Sequence, residues 1–181
     1  MRDGAVPEAI AKDTEHGRVV TSDGWFVLNL GDAVAHGNEH AGSYFPLEGE
    51  QHRWPEFGAN VHVIHPGQPN CFYHQESPQE AFLVLHGECI LIVEEQERRL
   101  QQWDFFHCPS GTRHVFVGAG KGPCAILMIG SRPDSIEIHY PVSEAASRHG
   151  ASVTTATDRP REAYADWPGP FDPVRYPWPI P

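Results

Sequence analysis

Lysine is almost absent from this sequence, and acidic side chains far outnumber basic ones. Lys12 and Lys121 are the two lysines among 181 residues, and 24 acidic against 13 basic residues give a formal net charge of −11. A surface of this sign repels phosphate backbones and anionic lipid headgroups, so we expect neither nucleic acid nor a membrane surface as a partner. The scarcity of lysine also gives little support to a Schiff-base mechanism.

Long apolar runs and the common catalytic motifs are missing as well. The longest apolar run, Cys124 to Ile129, has the length of a strand and falls far short of the roughly 18 residues that a spanning helix needs. The first residues are polar and contain no apolar signal-peptide core, so a cytoplasmic location is expected. GxSxG, a phosphate-binding glycine loop and a GxGxxG run leading into a helix are all absent.

The four cysteines lack the spacing of a zinc-binding motif. Neither a CxxC pair nor a zinc-ribbon pattern links Cys71, Cys89, Cys108 and Cys124. We therefore expect reduced thiols that pack mostly as small hydrophobic side chains. For Cys71 alone, a thiolate close to a bound metal stays open as an alternative.

Glycine and proline are abundant, and short apolar or alternating runs lie between them. With 17 Gly and 17 Pro, turns recur along the whole chain. A first strand is expected over Trp25 to Leu30 (WFVLNL), and eight more runs of four to seven residues follow. These eight runs are Asn60–His65, Cys71–Gln75, Ala81–Leu85, Cys89–Glu94, Arg98–Gln101, Asp104–Cys108, His114–Val117 and Cys124–Ile129. Strands of this length and spacing predict an all-β sandwich or barrel.

The chain is expected to form one domain with an appended segment at each end. An N-terminal arm covers residues 1–22, the barrel residues 23–132 and a C-terminal extension residues 133–181. Two short helices are predicted in the extension, one over residues 144–149 capped by Ser143 and one over residues 159–166 capped by Asp158.

The last stretch, WPGPFDPVRYPWPIP, is rich in proline and should be extended. Disorder is one interpretation of such a tail. Its aromatic residues favour docking on the barrel or on a neighbouring subunit. These residues are Trp167, Phe171, Tyr176 and Trp178.

Three closely spaced residues and a fourth far along the chain predict a metal site. Residues i and i+2 of a strand face the same side, so His74 and Glu76 project together. Glu80 begins the next strand after a Ser-Pro turn, and His114 begins another strand after a tight turn. A barrel can bring these positions together. Two carboxylates and two neutral imidazoles balance the charge of one divalent first-row metal ion.

These runs resemble two known motifs. His74-x-Glu76-x3-Glu80-x6-Gly87 resembles the first motif of the cupin superfamily, Gly-x5-His-x-His-x3,4-Glu-x6-Gly. Pro109-x-Gly111-x2-His114 resembles the second, Gly-x5-Pro-x-Gly-x2-His-x3-Asn. The resemblance implies a double-stranded β-helix, or jelly-roll, barrel, with a metal in its mouth held by His74, Glu76, Glu80 and His114.

The sequence departs from both motifs at several positions. Glu76 replaces the second histidine, and Gly67 lies six rather than five residues before His74. Trp103 stands in place of the leading glycine of the second motif, and Gly118 in place of its asparagine. Another register of the first motif, with a four-residue gap before the glutamate, would offer Tyr73 and Gln75, which are poorer ligands. A metal-free barrel in which the four residues form a buried hydrogen-bond network, or in which Glu76 points to solvent, stays open.

The expected function is that of a metal-dependent enzyme acting on a small, oxygen-rich molecule such as a carboxylate, a diol or a sugar. Within the cupins the pattern resembles isomerases, decarboxylases and dioxygenases, with Glu76 as a candidate base. A non-catalytic small-molecule binder or sensor is the alternative. Mn²⁺, Fe²⁺, Zn²⁺ and Ni²⁺ are the candidate ions. The resemblance also implies a homodimer, because an exposed sheet edge needs cover.

Overall fold

Two β-sheets that share one core form most of the structure. A computed structural model describes residues 4–49 and 52–177. The strands are β1 (Ala11–Thr14), β2 (Gly17–Val20), β3 (Ala35–Asn38), β4 (Gly42–Pro46), β5 (Phe57–Ile64), β6 (Gln75–Glu76), β7 (Glu80–His86), β8 (Glu88–Val93), β9 (Gln96–Gln101), β10 (Phe105–Cys108), β11 (His114–Ala119), β12 (Cys124–Ser131), β13 (Ile138–His139) and β14 (Asp172–Val174). The helices are α1 (Glu144–Ser147) and α2 (Pro160–Ala163).

A large and a small antiparallel sheet face each other. The large sheet has the strand order β10-β7-β12-β5-β4-β3-β14, and the small sheet has the order β11-β8-β9. Alternation along each strand sends one set of side chains into the space between the sheets. Phe82, Leu91, Phe116 and Ile126 lie in this shared core. The predicted all-β jelly-roll is confirmed.

The outer face of each sheet is covered by residues that come before or after the barrel strands. Residues of the segment after β13, among them Ala146 and Ala151, pack on the outer face of the small sheet. On the large sheet, Leu28 and Tyr176 pack against a cluster that contains the buried Phe45. β14 pairs with β3 and so extends this sheet at its edge.

Three sequence-based expectations differ from the structure in this outer layer. Trp25 to Leu30 is not a strand: Trp25 forms an isolated bridge with Glu8, and Leu28 and Leu30 pack as irregular chain on the cluster that contains Phe45. The arm contains a hairpin of β1 and β2. The second helix covers only Pro160–Ala163 and has no side-chain cap, because the Asp158 carboxylate instead contacts His139. Trp178 lies outside the described residues.

The first helix begins where the sequence predicts. Ser143 Oγ accepts a hydrogen bond from the Ala146 backbone N–H at 3.0 Å, and Ser143 is 1% exposed. We expect Ser143→Ala to lower the free energy of unfolding by about 1 kcal/mol, because a helix N–H then loses its partner. Urea denaturation measures the change, with Thr154→Ala, at an exposed position of the same segment, as the control. Equal stability of the two variants would contradict this role of Ser143.

Candidate metal centre

The two candidate histidines lie opposite each other on paired backbone segments. His74 precedes β6, and His114 is the first residue of β11. The His74 N–H donates to the His114 carbonyl at 3.2 Å, and the His114 N–H donates to the His74 carbonyl at 2.8 Å. Their ring centroids are therefore only 5.1 Å apart, although the residues are far apart in sequence.

The two candidate carboxylates complete the group. Glu76 ends β6 and Glu80 begins β7, so the turn between these strands brings both side chains to the same end of the barrel. His74 Nε2 lies 3.7 Å from Glu76 Oε1, and His114 Nε2 lies 3.5 Å from Glu80 Oε2. All four side chains line one cavity of about 300 Å³. Glu76 lines this cavity with 26% of its side chain exposed.

Backbone carbonyls orient both imidazoles. His74 Nδ1 lies 2.7 Å from the Phe72 carbonyl oxygen, and His114 Nδ1 lies 3.1 Å from the Thr112 carbonyl oxygen. A carbonyl can only accept, so each Nδ1 carries the proton and donates it. Each Nε2 then presents a lone pair toward a carboxylate. This is the tautomer that a metal-binding histidine adopts when a neighbouring group holds its other nitrogen.

Burial controls the protonation of the group. Burial, reinforced by the neighbouring Glu76 carboxylate, raises the pKa of Glu80 to about 8. Burial, followed by the nearby His74, lowers the pKa of His114 to about 3. Burial also lowers the pKa of His74. Without a cation, therefore, the site favours neutral imidazoles and a protonated Glu80 at neutral pH.

The alternative register of the first motif does not fit the structure. Tyr73 is fully buried on the outer side of the small sheet, where it packs against Ile92 and Val115. Its hydroxyl accepts a hydrogen bond from the Glu95 N–H at 3.2 Å. Tyr73 is thus a structural residue and does not replace His74 in the cavity.

The sequence analysis missed Cys108. Its Sγ lies 3.5 Å from His114 Nδ1, and Glu80, Cys108 and His114 form a cluster that could hold a metal ion. Cys71, which was considered for this role, has its sulfur 3.6 Å from His74 Nδ1 and lies outside that cluster. Burial raises the pKa of Cys108 to about 12, which keeps it a neutral thiol. Cys108 pairs with Glu80 across the neighbouring strands β10 and β7, so knowledge of this strand pairing would have pointed to it.

The state of the four cysteines agrees with the sequence analysis. All four cysteines are free, and Cys89, Cys108 and Cys124 are buried, as expected.

Among the described residues, no helix has both the length and the apolar character needed to cross a membrane.

The central part of the chain matches the model of a known family. Residues 60–130 match the model of the cupin domain. No curated protein matches the sequence. Of the solved structures, a sugar phosphate isomerase of the cupin superfamily from Silicibacter pomeroyi has a TM-score of 0.56 at 21% identity, over 64% of this chain and 81% of its own.

Two further solved structures show the same fold. The polyketide cyclase RemF from Streptomyces resistomycificus has a TM-score of 0.55 at 14% identity, over 80% of this chain and 94% of its own. KdgF from a Halomonas species has a TM-score of 0.52 at 21% identity, over 62% of this chain and 97% of its own. At these identities the similarity concerns the fold alone.

Proposed function

Residues 60–130 of this chain are a cupin domain, and on this premise we propose that the protein is a metal-dependent enzyme acting on a small, oxygen-rich molecule. His74, Glu76, Glu80 and His114 hold one divalent ion in the cavity that they line. The donor set of two nitrogens and two carboxylates favours Mn²⁺ or Fe²⁺ and also accommodates Zn²⁺ or Ni²⁺.

The orientation of the two imidazoles is the observation that carries this proposal. Both Nδ1–H groups are used by backbone carbonyls, so both Nε2 lone pairs face carboxylate oxygens at 3.5 to 3.7 Å. These separations exceed a good hydrogen bond, and the facing atoms are all acceptors once Glu80 is ionised. A divalent cation satisfies four such acceptors and balances their charge, so the residues fit the metal.

A bound metal of this kind would polarise a carbonyl or carboxylate oxygen of the substrate as a Lewis acid. The chain itself must move any proton. Besides the four candidate ligands, Arg132 is the one titratable side chain among the described residues that line the cavity. Of the two carboxylates Glu76 is the more exposed, at 26% against 17% for Glu80, so Glu76, once displaced from the metal by substrate, is the proposed base.

The same lining supports a second candidate function. Apart from the ligands, the polar groups around the described cavity are the amides of Asn60 and Asn70, the Ser131 hydroxyl and the Arg132 guanidinium, none of which is a natural general base. A cavity lined in this way also suits a metal-bound binding or sensor protein. Turnover that Glu76→Gln abolishes while metal content stays near the wild-type value distinguishes the enzyme from the binder.

Elemental analysis of the purified protein tests the metal site. We expect close to one Mn or Fe per chain in the wild type and loss of that metal in the Glu76→Ala, His114→Ala double variant. Zn or Ni at the same stoichiometry would keep the site but weaken the case for oxygen chemistry. A wild type that stays free of metal after supplementation would refute the metalloenzyme.

A Cys108→Ser variant is the matched control for the choice of ligands. We expect it to retain the metal, because a thiol with so high a pKa is a poor ligand at neutral pH. Loss of metal from Cys108→Ser would instead place the ion in the cluster of Glu80, Cys108 and His114.

A further inference from the structure

The metal cavity continues beyond the candidate ligands into a second cavity. The second cavity has a volume of about 380 Å³ and is lined by His36, Tyr44 and Arg53, among others. Gly58, Asn60 and Arg132 line both cavities, so the two cavities adjoin at these three residues, and we call this shared region the passage. A ligand held at the metal centre therefore has room to extend in one defined direction.

Two glycines form the floor of this passage. Glu80 of β7 pairs with Gly130 of β12, which in turn pairs with Gly58 of β5. From Glu80 to Gly58 the path crosses two strand spacings, or about 10 Å. Because glycine has no side chain, no side chain projects from these two positions into the space between the metal end and Arg132.

Arg132 presents an unused hydrogen-bonding edge to this passage. Its Nη1 donates to Glu48 Oε1 at 2.6 Å and to the Trp54 carbonyl at 2.7 Å, and its Nη2 donates to Glu48 Oε2 at 2.6 Å. A guanidinium has five N–H donors in a fixed fork, so within the part of the chain that the structure describes the Nε–H and the second Nη2–H are left. A Cβ at position 58 would lie 2.7 Å from Nη2 and 3.2 Å from Nε, which puts this free edge beside Gly58.

Asn60 supplies a second unused group at the same place. Its Oδ1 is buried and makes no hydrogen bond with any part of the chain that the structure describes. A buried amide oxygen without a partner is costly, and it is satisfied when a ligand donates a hydrogen bond to it. Asn60 and Arg132 thus offer an acceptor and a two-pronged donor along the passage.

We propose that the ligand is an elongated hydroxy-dicarboxylate. Oxygens at one end bind at the metal centre, a hydroxyl in the middle donates to Asn60 Oδ1, and the far carboxylate accepts two hydrogen bonds from the Nε–Nη2 edge of Arg132. Because Glu48 already balances the charge of Arg132, the guanidinium contributes mainly directed hydrogen bonds. The metal-bound end of this assignment rests on the proposed function.

Calorimetric titration of the Mn²⁺-loaded protein with two probes tests the assignment. D-Glucarate has the length and the hydroxyl groups to reach Arg132, whereas oxalate can occupy only the metal end. In Arg132→Lys, which keeps the charge and loses the fork, we expect glucarate affinity to fall about 10- to 100-fold and oxalate affinity to stay within twofold. The assignment of an extended ligand would be overturned by equal changes in the affinities of the two probes or by an unchanged glucarate affinity. Failure of glucarate to bind the Mn²⁺-loaded wild type would overturn it as well.

Gly58→Ala provides a second variant, which leaves the Arg132 side chain itself unchanged. Its methyl group would crowd the free edge of Arg132, so glucarate affinity should again fall while oxalate affinity and metal content are retained. Metal content and oxalate binding in the wild type report on the proposed function separately. If both are normal and neither variant affects glucarate, the metal centre stands and the extended ligand does not.

Discussion

Raising the pH from 6 to 8 is expected to increase the affinity of the protein for Mn²⁺ about 50-fold, at about tenfold per pH unit below pH 7. Burial and the adjacent Glu76 raise the pKa of Glu80 to about 8 in the metal-free protein. Below that pH a metal ion must displace the proton from Glu80 in order to bind, so affinity rises with pH and levels off near pH 8. The imidazoles add less competition, because burial lowers the pKa of His114 to about 3 and also lowers the pKa of His74.

Isothermal titration at several pH values measures this dependence. Repeating the titration at pH 6.5 in two buffers of different ionisation enthalpy counts the protons released, and we expect close to one per metal ion. An affinity that is flat between pH 6 and pH 8 would show that Glu80 is already ionised or does not bind the metal.

Replacing Phe116 by alanine is expected to lower the free energy of unfolding by about 3 to 5 kcal/mol. Phe116 is fully buried in the core between the two sheets, where its ring lies 4.9 Å from that of Phe82 and 6.2 Å from that of His114. Truncation leaves a cavity between two hydrogen-bonded sheets, which cannot close over it without disturbing their strand pairing.

Guanidinium chloride denaturation of the metal-free protein measures this loss, so that metal binding does not add to the difference. Phe105→Ala is the matched control, because Phe105 is 64% exposed and its removal should change stability by no more than about 0.5 kcal/mol. Similar losses for the two variants would show that the space between the sheets is not the core that determines stability.

The sequence predicted the barrel strands well because their signal is local. Alternating runs such as Ala81–Leu85 and Cys89–Glu94 became strands with nearly the expected bounds, since each run carries its own period of two. The failures depended on distant partners. Trp25 to Leu30 had the composition of a strand, but it pairs with no strand of the described chain, and Leu28 and Leu30 pack on the cluster that contains Phe45.

The candidate site, too, was predicted only where the sequence signal is local. His74, Glu76, Glu80 and His114 were found from motif spacing, and the structure brings all four to one cavity. Their role as ligands stays a prediction, as do the domain boundaries and the homodimer.

Two residues near the candidate site, which distant parts of the chain bring there, were missed. Cys108 meets Glu80 across two strands, and Arg132 lies over Gly58, more than 70 residues away in sequence. Neither pairing leaves a trace in local composition, so no pattern in a single sequence could have revealed it.

The pairing of β14 with β3 has a consequence for synthesis on the ribosome. Asn38, at the end of β3, donates to the carbonyl oxygen of Pro168, 130 residues further along the chain. At roughly 5 to 20 residues per second, the edge of β3 waits on the order of 10 s for its partner segment to be made. During that interval β3 and the apolar face beside it are open to other nascent chains. Co-translational chaperones are therefore expected to matter more for this protein than its compact barrel alone would require.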